Sequence, residues 1–466
     1  MKKDKYIMIA AYVLASMTAL TSCSDDESCA NTAISVDKIF LQDASSTAET
    51  HNREVDFARL GQTIRIQGSG FSGLRHIYIN GYDTYFNNAL MTDNNVWVTL
   101  SSKTPVVDAE DDVRNTITFV KDGTSMTYNF TIRAAAPSIS SISCTLPKAG
   151  ETVVVYGANL HETTTVTLPS GNVITDITSD TDGEWFSFVM PEGEKTGGSI
   201  TCTGANGTAK SPAYFNENSC YIIDFDGLGS QGFWSWSETG SMCNDEDLTT
   251  DPTNSGRGNV AMLVPQRLLD KGGIAAGKSR ATEWWTAGNG NDADDWTWMT
   301  GENGLFDSDS PITDIALQFD IYCPDEWNGT GQIQITLQNN VSYNGYGSDE
   351  SKSSSTQTYV WIPWVKDGKL TPFKTNGWET VTIKLSDFSK YANSIEDGET
   401  PIFQNVIDDR NNGSYKNFGF GFVNTDITVN GTEYPSSAFT NKVYIDNMRL
   451  VPCSSITVSD FPSETE

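Results

Sequence analysis

The sequence predicts an all-β protein of about three domains: two small β-sandwiches in tandem, then a larger β-sandwich of jelly-roll type. Three observations predict it. A chain of 466 residues exceeds what one hydrophobic core organises and divides, at about 100–200 residues per domain, into about three. Charged residues make up only 19% against 38% hydrophobic, Gly numbers 39, and no window is dominated by Leu, Ala, Glu and Lys, a composition that favours strands and turns over helices. Apolar and polar residues alternate in short runs bounded by glycine, the period of half-buried strands.

Residues 1–22 read as a secretory signal. Lys2, Lys3 and Lys5 precede an apolar run from Tyr6 to Leu20 that is too short to cross a bilayer. Leu20-Thr21-Ser22-Cys23 resembles a lipobox, which implies that Cys23 is the lipidation site and first residue of the mature chain. Ser24-Asp25-Asp26-Glu27 is similar to the acidic tag that exports such lipoproteins to the outer surface of Gram-negative bacteria. The resemblance implies a lipid-anchored protein of the outer membrane, facing the exterior, with residues 23–33 as a tether.

Residues 34–134 and 135–218 form the two small domains. In the first, Ile64/Ile66 and Ile77/Ile79 alternate with polar residues between Gly61, Gly68, Gly70, Gly73 and Gly81. The grammar then repeats. Gly61 to Phe71 (GQTIRIQGSGF) matches Gly150 to Leu160 (GETVVVYGANL) 89 positions on, and Trp97-Val-Thr-Leu matches Trp185-Phe-Ser-Phe 88 positions on, so the pair reads as an internal duplication. Gly68-Ser-Gly-Phe71 with Ile77-Tyr-Ile-Asn-Gly81 resembles the IPT/TIG immunoglobulin-like domain. The second copy departs from that pattern at Ala158-Asn-Leu160 and Pro169-Ser-Gly171. Phe71 and Leu160 are each placed to plug one end of a sandwich.

Residues 219–453 form the third domain, and 454–466 a tail. Strand-like runs include Ile315 to Tyr322, Gln332 to Leu337, Gln357 to Trp361, Glu379 to Leu385, Asn417 to Val423 and Lys442 to Leu450, joined by long loops rich in Gly, Asn and Asp, with no useful helical period.

Composition excludes several functions. Thirty basic against 60 acidic residues give a formal charge of −30, a field that repels nucleic acid and anionic lipid but leaves a neutral ligand untouched. His51, His76 and His161 all precede the third domain, so that domain holds no Ser-His-Asp triad and no His-ligated metal centre. Apart from Cys23 there are seven cysteines and no CxxC pair, so zinc ribbons and redox motifs have no support. Cys144 and Cys202 share one domain, either as a bridge or as buried thiols. No cofactor is expected. Asp224, Asp226 and Asp446, on first and last strands that neighbour each other in many jelly rolls, are a candidate structural calcium site.

Of 12 tryptophans, all but Trp97 and Trp185 follow Cys220, and most sit among polar loop residues, as in Asn291-Asp-Ala-Asp-Asp-Trp-Thr-Trp-Met299 and Asp325-Glu-Trp-Asn-Gly329. Indoles in polar loops suit stacking on the C–H faces of sugar rings, while Asn, Gln, Asp and Arg suit the hydroxyls. Trp296/Trp298 and Tyr359/Trp361 are spaced i, i+2 and share a side if extended. Trp296, Trp298, Trp327, Tyr359, Trp361 and Trp364 are therefore the candidate carbohydrate-binding residues. Trp378, heading a strand-like run, is expected in the core.

Ile222-Ile-Asp-Phe-Asp-Gly227, Trp378 to Phe388 (WETVTIKLSDF), Asn417 to Asn424 (NFGFGFVN) and Val443 to Pro452 (VYIDNMRLVP) resemble carbohydrate-binding jelly rolls. With the lipobox and the IPT/TIG repeats, they resemble the surface glycan-binding proteins of polysaccharide utilisation loci, in particular the class whose C-terminal domain binds xyloglucan. The resemblance implies non-catalytic capture of a neutral polysaccharide, such as xyloglucan, another β-glucan or a mannan, for surface hydrolases and an outer-membrane transporter. Two other classes stay open: a surface glycoside hydrolase, whose two carboxylates are easily found in so acidic a chain, and a protein-binding adhesin or assembly factor.

Overall fold

The computed structural model describes residues 32–42, 53–226, 233–236, 248–263, 282–286, 295–302, 304–338, 349–413 and 416–458. Cys23 and His51 lie outside them. The fold is all-β, in two compact units, Met1–Ala136 and Pro137–Glu466.

The first unit is a small sandwich. One sheet runs Arg53–Glu54, Ser35–Gln42, Thr63–Ser69, Asn95–Thr99, and the other Tyr82–Asp83, His76–Ile79, Thr116–Val120, Ser125–Asn129. Their alternation is that of the sequence: Ile64, Ile66, Val96 and Val98 meet Ile77, Ile79, Ile117 and Phe119, none more than 1% exposed.

The second unit begins with a sandwich of the same plan. Ser138–Ile142, Thr152–Ala158, Trp185–Val189 and Ile177–Ser179 make one sheet, and Val173–Ile174, Thr165–Thr167, Thr201–Gly204 and Gly207–Lys210 the other. A Cβ on Gly68 or Gly157 would stand 1.9 Å from the carbonyl of Ser35 or Ser138 respectively, so both copies need glycine where the first strand crosses. Phe71 and Leu160 close the sandwiches as expected, at 0% and 2% exposure. The register corrects the sequence match in one respect. Thr63 pairs with Thr99 and Thr152 with Val189, which makes the later strand's offset 90 instead of 88. Trp185 thus occupies the place of Asn95, and Trp97 that of Ser187. A two-residue slip preserves the face, so the patterns match in either register.

The rest of this unit is a larger antiparallel sandwich. Leu248–Thr250, Asn259–Leu263, Val443–Pro452, Ile315–Tyr322 and Glu379–Lys384, with Tyr221–Ile223 also on Val443–Pro452, form a six-stranded sheet. Facing it are Phe233–Trp236, Thr282–Thr286, Gly419–Val423, Gln332–Thr336 and Thr358–Trp361. Leu317, Phe319 and Ile321 of the first sheet and Ile333, Ile335, Phe420 and Phe422 of the second fill the space between. Two helices, Ser389–Glu396 and Phe403–Asn412, depart from the reading that no helical period is present. Phe403, Val406, Ile407 and Arg410, at i, i+3, i+4 and i+7, are the buried stripe of the second.

The second immunoglobulin-like sandwich packs on the outer face of the six-stranded sheet. Ala316, Val451 and Cys453 join its core beside Tyr214 and Phe215. Polar groups close the contact. Thr145 donates through Oγ1 to Gln318 Oε1 at 2.9 Å and accepts from Arg449 Nη2 at 2.8 Å. Arg257, wholly buried, pairs with Asp320 at 3.0 Å and Glu151 at 3.2 Å and donates to the Leu146 carbonyl. Burial, followed by the Asp320 carboxylate, pushes the neighbouring Asp446 up to about 9. Cys144 and Cys202 are buried free thiols, not a bridge, and burial raises both to about 11.

Candidate ligand-binding face

The strand Gln332–Thr336 reads Gln-Ile-Gln-Ile-Thr. Its isoleucines enter the core, which turns Gln332, Gln334 and Thr336 to the outer face of the five-stranded sheet. On the neighbouring strand Phe420 and Phe422 face in, so Gly419 and Gly421 lie outside, opposite Thr336 and Gln334. On Thr282–Thr286, Trp284 faces in and stacks on Phe420, with ring centroids 5.2 Å apart, while Trp285 faces out opposite Gly419. The glycine makes room for that indole: a Cβ there would lie 2.3 Å from Trp285 Cε3. The edge strand Phe233–Trp236 registers Trp234 with Trp285 and Trp236 with Glu283. Thr358 and Val360 complete it beside Thr336 and Gln334.

This face is polar yet closed to solvent, with Gln332, Gln334 and Thr336 at 0% exposure and Trp285 at 1%. Gln332 Nε2 donates to Thr425 Oγ1 at 2.8 Å, but Gln332 Oε1 finds no partner among the described residues. A buried amide oxygen left unpaired costs about 1–3 kcal/mol. Hydroxyl groups of a ligand are suited to remove that cost, and the indole supplies a flat apolar surface beside them.

At the end of the strip, Gln338 fills the space that a side chain on Gly413 would need. There the one-turn helix Trp296–Met299 is held by Arg410, whose guanidinium lies 3.8 Å from the Trp296 ring centroid and donates to the Leu337 carbonyl. Asp295 caps the turn through Oδ1, accepting from Thr297 N at 3.1 Å.

The structure separates the six residues singled out from the sequence. Trp298, on that turn, is 43% exposed. Trp296 is 1% exposed beneath Arg410, because a tight helical turn sends residues i and i+2 to different sides where an extended chain would align them. Trp327 and Trp364 are also core residues, at 0% and 1%, and their indole N–H groups donate to the Thr330 and Gly331 carbonyls at 2.7 and 2.6 Å. These three are thus corrected from exposed platforms to core. Tyr359 and Trp361 do share a side, but it is the inner one: they are half-buried, with Tyr359 against Phe388 and Trp361 against Phe319 and Trp327. Trp378 is core as expected and donates to Asp251 Oδ1 at 3.0 Å. The first and last strands do adjoin. Among the described residues no group of three or more His, Cys, Asp or Glu is placed to hold a metal ion.

A family model, the surface glycan-binding protein B xyloglucan binding domain, matches residues 215–452. The chain belongs to this family. The matched stretch contains both sheets of the large sandwich and hence the whole polar face. Among curated proteins, an IPT/TIG domain-containing protein of Bacteroides ovatus is 26% identical over 233 residues, 48% of this chain. The match covers 42% of that relative's length. Among solved structures, the surface glycan-binding protein PbSGBP-B from Prevotella bryantii has a TM-score of 0.60 at 19% identity, over 91% of this chain and 99% of its own, a likeness of fold. SGBP-B from a complex xyloglucan utilisation locus in Bacteroides uniformis is similar at 16% identity and a TM-score of 0.40, over 90% and 100%.

Proposed function

We propose that this protein is a non-catalytic binder of neutral polysaccharide at the cell surface, and that the outer face of its five-stranded sheet holds the glycan. The observation that carries the reading is the buried strip Gln332, Gln334 and Thr336 beside Trp285, with an amide oxygen unpaired among the described residues and a glycine floor beneath the indole. Trp298 extends it at one end. Xyloglucan, named in the family's description, is the first polysaccharide to test, ahead of mixed-linkage glucan and mannan. Acylation at Cys23 would anchor the chain in the outer membrane, where it would hand captured polymer to surface hydrolases and a transporter.

The test is native electrophoresis of residues 24–466 in gels cast with each polysaccharide, with an assay for new reducing ends. The expected result is retardation by at least one β-glucan without sugar release. Release of sugar would replace binding by hydrolysis, and unchanged migration in every gel would move the function to a protein-binding adhesin.

A further inference from the structure

The two immunoglobulin-like sandwiches share one plan, so each serves as a control for the other, and one of their differences is the edge of the strand that carries Trp97 in the first copy. In the second copy the strand Trp185–Val189 has its free edge taken by Ile177–Ser179. In the first copy the corresponding strand Asn95–Thr99 ends its sheet, and the chain after Tyr82–Asp83 touches it by a single bridge, Phe86 to Val98. That chain arches outward instead. It leaves Tyr85 83% and Leu90 60% exposed, although neither fills a core. Between arch and sheet is a cleft of about 550 Å³, within the roughly 300–1,000 Å³ of small-ligand sites.

Its lining mixes two chemistries. Tyr82, Tyr85 and Trp97 supply aromatic surface; Asn87, Thr99 and Ser101 supply amide and hydroxyl groups. The register makes Trp97 particular to this copy, since Ser187 holds its place in the other. Charge is nearly absent from the cleft: no lysine or arginine lines it, and Asp83 is already paired with His76 at 3.0 Å. Aromatic faces and hydroxyls, with one carboxylate already hydrogen-bonded to a neighbour, suit a neutral sugar better than an anion or an acidic peptide.

We propose that this cleft is a second contact for neutral glycan, taking one or two pyranose units. The proposal rests on the glycan-binding reading above.

Trp97 offers a direct readout in the full chain labelled with 5-fluorotryptophan, its ¹⁹F resonance assigned from a Trp97→Phe variant. The probes are cellohexaose and a xyloglucan heptasaccharide. The expected result is a saturable shift of the Trp97 resonance that persists when Gln334→Ala and Trp298→Ala weaken the C-terminal face. In Tyr85→Ala that shift should disappear, and retention on the polysaccharide should fall severalfold. A still Trp97 resonance while C-terminal tryptophans shift overturns the second contact and leaves the main site standing. Stillness of every tryptophan overturns both. A Trp97 shift with an apolar dye but with neither sugar assigns the cleft to an apolar partner and overturns the proposal.

Discussion

Two tryptophans that look alike in sequence, Trp298 and Trp327, have opposite surroundings. Trp298 is 43% exposed on the one-turn helix Trp296–Met299, whereas Trp327 is wholly buried against Phe422 and Phe439 with its N–H bonded to the Thr330 carbonyl. Truncating them should therefore separate binding from stability. Trp298→Ala is expected to weaken glycan binding by about 1–3 kcal/mol, as loss of one stacking surface does, and to leave the melting temperature in place. Trp327→Ala should cost about 3–5 kcal/mol of stability, visible as an early denaturant midpoint. Equal effects of the two on binding and stability would refute the assignment. The sequence could not make this distinction. Asp, Asn and Gly surround both residues, and neighbours along the chain do not report which neighbours in space will cover a ring.

At the scale of the strand, the outer face is written in the same alternation as the core face. Gln332-Ile-Gln-Ile-Thr336 alternates amide with isoleucine, and Gly419-Phe-Gly-Phe422 alternates glycine with phenylalanine. Period two named these strands correctly, and the same period names their second face: amides over glycines, with Trp285 in register. What sequence could not supply was the pairing that brings residues 285, 334 and 419 together. Gly419→Ala tests the arrangement, because the added methyl would displace the Trp285 ring that lies 2.3 Å from its position. Overpacking of this kind costs about 1–3 kcal/mol, which the large core should tolerate. Retention in xyloglucan gels should drop sharply while far-ultraviolet circular dichroism stays unchanged. Full retention by a folded variant would remove Trp285 from the site.

Across the whole molecule, the all-β class and the order of two small sandwiches before a larger one followed from composition, period and duplication, and their immunoglobulin-like character from the resemblance to the IPT/TIG domain. The buried charges between the second and third sandwiches did not. Asp320, Arg257, Arg449 and Thr145 are far apart in sequence and are united only by tertiary packing. Their cluster sets a pH dependence. Asp446 titrates at about 9 when folded, against about 3.9 for an unfolded aspartate. Between those values the native state binds the extra proton, so stability falls as pH rises from about 4 towards 9. Urea midpoints at pH 5, 7 and 9 should decline in the native protein and flatten in Asp446→Asn. Parallel curves for the two would mean that another group carries the slope.

The bond from Thr145 to Arg449 also has a mechanical meaning. On the proposed reading, a polymer held by the sheet and pulled from outside would load the chain through its third sandwich. Bending at residues 216–220 would draw Thr145 away from a guanidinium with no water to replace it. The joint would then act as a weld, passing tension from the third sandwich into the second through the buried contacts at Thr145, Arg257 and Arg449.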